Sequence, residues 1–157
     1  MPDETVVRQA NEGRAFSMLG GVYEVKVSSE ESDGAMTIME MLIPPGAAPP
    51  PHTHPGTETV YVIEGNLRYN IGDATYEGGA GSIFHIPGGV LENFEPLTQS
   101  RVLVVYKPGG IEGFFEEAGD PGQPGVLPPP ADGPPDLQRL IEIAAKHGMK
   151  IQPPDGA

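Results

Sequence analysis

Between residues 14 and 107 the chain runs in short alternating or apolar stretches separated by glycine-bearing turns, and no stretch there carries a 3.6-residue apolar spacing. The pattern predicts strands over Ala15 to Leu19, Val22 to Ser28, Met36 to Ile43, Glu58 to Ile63, Leu67 to Asn70, Thr75 to Glu77, Ser82 to Ile86, Leu91 to Glu95 and Val102 to Lys107. Turns fall at Asp33-Gly34, Glu64-Gly65-Asn66, Gly72-Asp73 and Gly78-Gly79, where glycine reaches backbone angles closed to other residues. A run of short strands without helices predicts an all-β sandwich or barrel.

After Lys107 the pattern changes. Residues 112–118, with Phe114 and Phe115 to bury and Gly119 as a stop, predict a short helix that caps the barrel. Proline and glycine dominate residues 119–135, which predicts an irregular tether without a core of its own. Leu137, Leu140, Ile141 and Ala144 form a helical stripe within residues 136–147, ended by Gly148. One apolar stripe needs one partner surface, so this helix is expected to cover a sheet edge; a lid or a dimer contact is the sharper alternative. The whole, residues 1–157, is expected to be a single domain with its barrel core over 14–107.

Composition narrows the chemistry. Twenty-two acidic against nine basic residues give a formal charge of -13, which argues against nucleic acid or an anionic membrane as partner. The absence of cysteine excludes disulfides, thiolate metal sites and cysteine nucleophiles, so any metal must take nitrogen and oxygen ligands. The start, Met1-Pro-Asp-Glu-Thr, precedes no signal-like apolar run and no stretch is long enough to span a bilayer, so a soluble cytoplasmic protein with a small-molecule partner is expected.

Candidate chemistry concentrates in one segment, Gly46-Ala-Ala-Pro-Pro-Pro-His52-Thr-His54-Pro-Gly-Thr-Glu58, closed by Gly65. In extended chain, residues two apart share a face, so His52 and His54 converge on one point. The Pro55-Gly56 turn then lets an adjacent strand bring Glu58 to the same place. Two imidazoles and one carboxylate suit a divalent first-row metal and leave positions open for substrate, water or dioxygen. The proline run before His52 holds the ligand segment extended. With Glu58 inward, alternation places Val60 and Val62 on the same side, an apolar wall suited to a hydrophobic or aromatic substrate.

The spacing Gly46-x5-His52-x-His54-x3-Glu58-x6-Gly65 resembles the first motif of the cupin superfamily, position for position. Gly81, Pro87 and Gly89 match the glycines and proline of its second motif, but Glu92 stands where the family has a fourth ligand, a histidine, and Pro96 where it has an asparagine. Glu92 is therefore open to three readings: a metal ligand, a buried proton carrier beside the metal, or a solvent-facing residue. His85 is a further candidate, for catalysis or the pocket wall, if its face of the strand looks inward; otherwise it is a surface residue. His147, before Gly148 at a helix end, is expected to meet terminal carbonyls and is given no role in the site.

The Phe-Phe-Glu-Glu-Ala-Gly segment, the proline-rich link and the terminal helix are similar to small quercetin dioxygenase-like cupins. The resemblance implies a double-stranded β-helix, or jelly-roll barrel, with short C-terminal helices. It also implies a dimer and one divalent metal (iron, manganese, nickel, copper or zinc) held by His52, His54 and Glu58, with Glu92 as a fourth candidate. The activity expected first is a dioxygenase acting on a small aromatic or polyphenolic compound. The alternatives are a non-redox cyclase, isomerase or dehydratase in which Glu92 or His85 moves a proton, and a binding module without turnover.

Overall fold

The computed structural model describes residues 4–153; the acidic start Met1–Asp3 lies outside them. In chain order the elements are β1 (Ala15–Met18), β2 (Gly21–Val27), β3 (Thr37–Ile43), β4 (His52–Thr53), β5 (Thr57–Glu64), β6 (Asn66–Ile71), β7 (Ala74–Gly79), β8 (Ile83–Ile86), β9 (Glu92–Pro96), β10 (Ser100–Lys107), α1 (Glu112–Ala118), β11 (Asp120–Gly122), α2 (Leu137–Lys146) and β12 (Lys150–Ile151). One sheet has the order β11-β1-β2-β3-β10-β5-β8 and the other β12-β4-β9-β6-β7, and every pairing is antiparallel.

The two sheets face each other because alternate residues of the long central strands are apolar. Thr37, Met39, Met41 and Ile43 of β3, Val60 and Val62 of β5, and Val102, Val104 and Tyr106 of β10 are all buried. Leu67 and Tyr69 of β6 come from the opposite sheet, and Tyr69 stacks against Phe84 with ring centroids 5.0 Å apart. Each buried aliphatic or aromatic side chain contributes roughly 1.5–3 kcal/mol by leaving water, so this interior is the main source of stability.

The segments after β10 pack onto the sandwich. Phe114 and Phe115 of α1 are buried, with the Phe115 ring centroid 4.8 Å from that of Tyr23, so the short helix packs against the core. Leu140, Ile143 and Ala144 of α2 join the same core. Gly148, with φ of +79°, ends α2 and returns the chain as β12, which forms the edge of the sheet beside β4.

Three short strands fall outside the hydrophobic pattern. The segment read as a plain tether opens with β11, paired to β1, where Pro121 is tolerated because an edge strand needs no further donor there. β4 and β12 are two residues each, too short to show alternation, and are defined by their pairing with each other and of β4 with β9.

The β5–β6 turn depends on Gly65. Its φ is +95°, and a Cβ there would lie 2.3 Å from Ser100 Oγ and 2.6 Å from the Gln99 carbonyl oxygen. Gly65→Ala is expected to cost more than about 1 kcal/mol, from backbone strain and this clash together. A denaturant midpoint equal to wild type at unchanged slope would contradict the assignment.

Candidate metal centre

The barrel brings His52, His54, Glu58 and Glu92 to one buried point. His52 lies on β4 directly opposite Glu92 on β9, and Glu58 opens the inward row of β5, paired with Tyr106 on β10. All four side chains are buried, Glu58 to 4 % and Glu92 to 2 % exposure. The histidines present their Nε2 atoms 3.1 Å apart. Glu92 Oε1 lies 3.5 Å from both of these nitrogens, and Glu58 Oε2 3.2 Å from that of His54.

These separations fit ligands of a common ion. Donors about 2.1 Å from a metal, at angles between 90° and tetrahedral, lie about 3.0–3.4 Å from one another. The polar accounting agrees: Glu58 Oε2 and Glu92 Oε2 are buried without a hydrogen-bond partner. Leaving such oxygens unsatisfied is costly, and a cation held by the two carboxylates would offset that cost. His52, His54 and Glu92 form a compact triad of donor atoms within 4.8 Å of one another, with Glu58 beside it. With nitrogen and oxygen donors and no sulfur, the set suits a divalent first-row metal.

Neighbouring groups orient the ligands. His52 Nδ1 lies 2.9 Å from the Pro50 carbonyl oxygen and donates to it, which fixes the tautomer and turns the Nε2 lone pair toward the cluster. The Tyr69 hydroxyl donates to Glu58 Oε1 at 3.4 Å, and the Tyr106 ring lies 5.5 Å from that of His54. Burial, then the charges of Glu58 and Glu92, holds both tyrosine hydroxyls well above their ordinary pKa, so they remain neutral donors. Neither tyrosine stands out in the motif, although the inward parity of Val102 and Val104 extends to Tyr106.

Without a metal, the cluster is electrostatically frustrated. Burial, reinforced by the neighbouring Glu92 carboxyl, pushes Glu58 up to about 8. Burial also pulls His54 down to about 4, against the attraction of Glu58. On His52 burial opposes the charged form, but Glu92, the Pro50 carbonyl and Glu58 outweigh it and raise its pKa.

The other candidates are placed differently. His85 pairs with Thr59 across β5 and β8, and its Nδ1 meets Thr59 Oγ1 at 2.8 Å. Its side chain is exposed, on the face opposite the buried Phe84 and Ile86, so the structure does not bring it to the cluster. His147, expected only to meet carbonyls at a helix end, lines the cavity that opens beside His54. That cavity is about 140 Å³, with Thr57, Tyr106, Lys107 and Ile111 also in its wall. Val60 and Val62 do face the interior, but the void beside Glu58, Val60 and Tyr69 is about 10 Å³, so no ligand-sized apolar chamber exists there.

A two-sheet antiparallel barrel with a histidine–glutamate cluster inside defines a class of β-barrel with an internal metal-binding site. A family model described as the cupin domain matches residues 39–106, which include all four cluster residues. That segment of the chain thus matches a cupin domain, and the likeness to solved cupin structures supports the same small barrel fold. Among solved structures, an RmlC-like cupin from Shewanella frigidimarina is similar over 71% of this chain and 98% of its own, with 16% identity and a TM-score of 0.62. An oxalate decarboxylase from Bacillus subtilis is similar over 69% of this chain, with 22% identity and a TM-score of 0.58. The match spans about a third (32%) of that longer chain. None of the curated proteins matches this chain in sequence. Among the described residues, no helix is long and apolar enough to cross a membrane.

The electrostatics set a pH dependence for the metal-free protein. The raised Glu58 contributes stability that is complete below its unfolded value near 4.5 and is lost as pH rises through about 8. His52, also raised, acts in the same sense. The depressed His54 acts oppositely, but below pH 6.5, where stability falls as pH drops toward 4. Between pH 6.5 and 8 the metal-free protein should therefore lose on the order of 5 °C in Tm, and Glu58→Gln should remove most of that loss. A Tm that rises over this interval in metal-free wild type would contradict the frustrated cluster.

Proposed function

We propose that this chain is a metal-dependent enzyme acting on a small molecule, and that dioxygenation is its reaction type. The observation that carries the proposal is the buried two-histidine, two-glutamate cluster with two unpartnered carboxylate oxygens, next to a cavity that His54 lines. His52, His54 and Glu92 would hold the ion as a two-histidine, one-carboxylate triad, a donor set characteristic of non-haem iron oxygenases. Glu58 would be the fourth ligand or the proton acceptor. A divalent metal bound there would supply Lewis acidity and, if redox-active, electron transfer with dioxygen.

The residues around it have separable tasks. Tyr69 holds Glu58 Oε1, leaving Oε2 to face the cluster and to take a proton from the substrate. His54 and Tyr106 form the inner wall against which the substrate is oriented, and the filled interior beyond Glu58 excludes water from that side. The cavity of about 140 Å³ falls below the roughly 300–1,000 Å³ typical of drug-sized ligands. It therefore favours a single small ring or a short acid over a polycyclic polyphenol.

A second reading is a non-redox lyase or isomerase. It is favoured by Glu92 standing where the second cupin motif has a histidine, because a second carboxylate makes the centre more oxygen-rich and gives it an additional group able to carry a proton.

Elemental analysis of freshly purified protein should find close to one first-row metal per chain in wild type and less than about a tenth of that in His52→Ala or His54→Ala. Glu92→Ala should also lose the metal if Glu92 is a ligand. Iron or manganese with turnover that stops under anaerobic conditions supports the oxygenase. Zinc, or turnover indifferent to dioxygen, supports the second reading, and a metal content unchanged by both histidine variants refutes the centre.

A further inference from the structure

The strand that carries His52 is poorly held by its own sheet. β4 has two residues and shares a single paired position, His52 opposite Glu92, with β9. Pro49, Pro50 and Pro51 precede it, and none has an N–H to offer a neighbour. On the other side lies the C-terminal arm: Ile151 of β12 pairs with His52 and Lys150 with Thr53, and the Gln152 N–H donates to the Pro51 carbonyl at 2.8 Å. The two carbonyls just before His52 thus each have one partner, Pro50 taking the His52 imidazole N–H and Pro51 the Gln152 amide.

The arm is anchored at its other end. Leu140, Ile143, Ala144 and Met149 are buried in the barrel core, and Ile151 packs against it. The turn between them is fixed by Gly148, where the Met149 amide donates back to the Ala144 carbonyl at 3.0 Å. Gly148 also sits against Pro55 in the turn after His54, where an added Cβ would be 3.3 Å from Pro55 Cγ.

We propose that the C-terminal arm, residues 137–152, is a working part of the metal centre: β12 is the positioning strand that holds His52 in ligating register. The inference rests on the metal reading above and adds that metal affinity is set from a segment outside both cupin motifs. Removing the arm's grip on β4 lets His52 drift from Glu92 and His54 while the rest of the barrel stays folded.

The test uses the intact 157-residue chain, stripped of metal and titrated with Co²⁺ alone, followed by calorimetry and by the visible absorption of the bound ion. Gln152→Pro removes the donor to Pro51 and suits an extended chain. Ile151→Ala trims the anchor while leaving every backbone donor, and so covers the case in which the proline variant misfolds. Val22→Ala, in the sheet that does not carry β4, lowers stability without touching the arm and serves as control. The expected result is Co²⁺ binding weakened between about 10- and 100-fold in Gln152→Pro, with an altered visible spectrum. A smaller loss in Ile151→Ala and wild-type affinity in Val22→Ala complete the pattern. Wild-type affinity and spectrum in both arm variants would overturn the proposal while leaving the metal centre intact, and an equal loss in Val22→Ala would reduce it to general stability. Failure of the wild type itself to bind Co²⁺ would overturn the metal reading and this inference with it.

Discussion

Two carboxylates and two imidazoles confined at one buried point are the constraint from which the rest of the molecule is understood. Glu58 and Glu92 are as buried as the valines around them, and each leaves an oxygen without a partner. Burying such groups costs several kcal/mol unless a proton or a cation compensates. In the metal-free protein Glu58 keeps its proton up to about pH 8. A divalent ion would replace that proton and relieve the repulsion between the carboxylates, so metal binding, protonation and stability are one linked equilibrium.

The barrel supports this cluster by filling itself almost everywhere else. Met39, Val60, Val62, Leu67, Tyr69 and Val104 are essentially without solvent contact, and they leave about 10 Å³ beside Glu58. The open space next to His54, about 140 Å³, is surrounded by the β4–β5 turn, the chain after β10 and the end of α2. On the proposed function, selectivity for small molecules would follow from volume as much as from chemistry. The C-terminal arm that supplies His147 to this wall also meets the ligand strand, so cavity wall and ligand position share one support.

Much of this was legible in the residues. Period-two alternation along Glu58, Val60 and Val62 identified the inward face of β5, and the His52-x-His54 spacing identified two convergent imidazoles, because both depend on local strand geometry alone. What depends on contacts between distant segments was not legible. β4 and β12 are too short to alternate and exist through each other. The outward face of His85 follows from the pairing of β8 with β5, which parity by itself leaves undecided. His147 read as a helix-end residue, and it is the packing of α2 against the barrel that carries it to the cavity wall. The apolar wall at Val60 and Val62 was read correctly as inward, but the side chains that fill the space before it come from the facing sheet.

Anomalous diffraction from crystals of the manganese- or iron-loaded protein, collected at the edge of that metal, tests the central claim most directly. The account predicts a single peak within bonding distance of His52 Nε2, His54 Nε2 and Glu92 Oε1, with a carboxylate oxygen of Glu58 beside it. A peak elsewhere on the chain, or none at the cluster after loading, would contradict it.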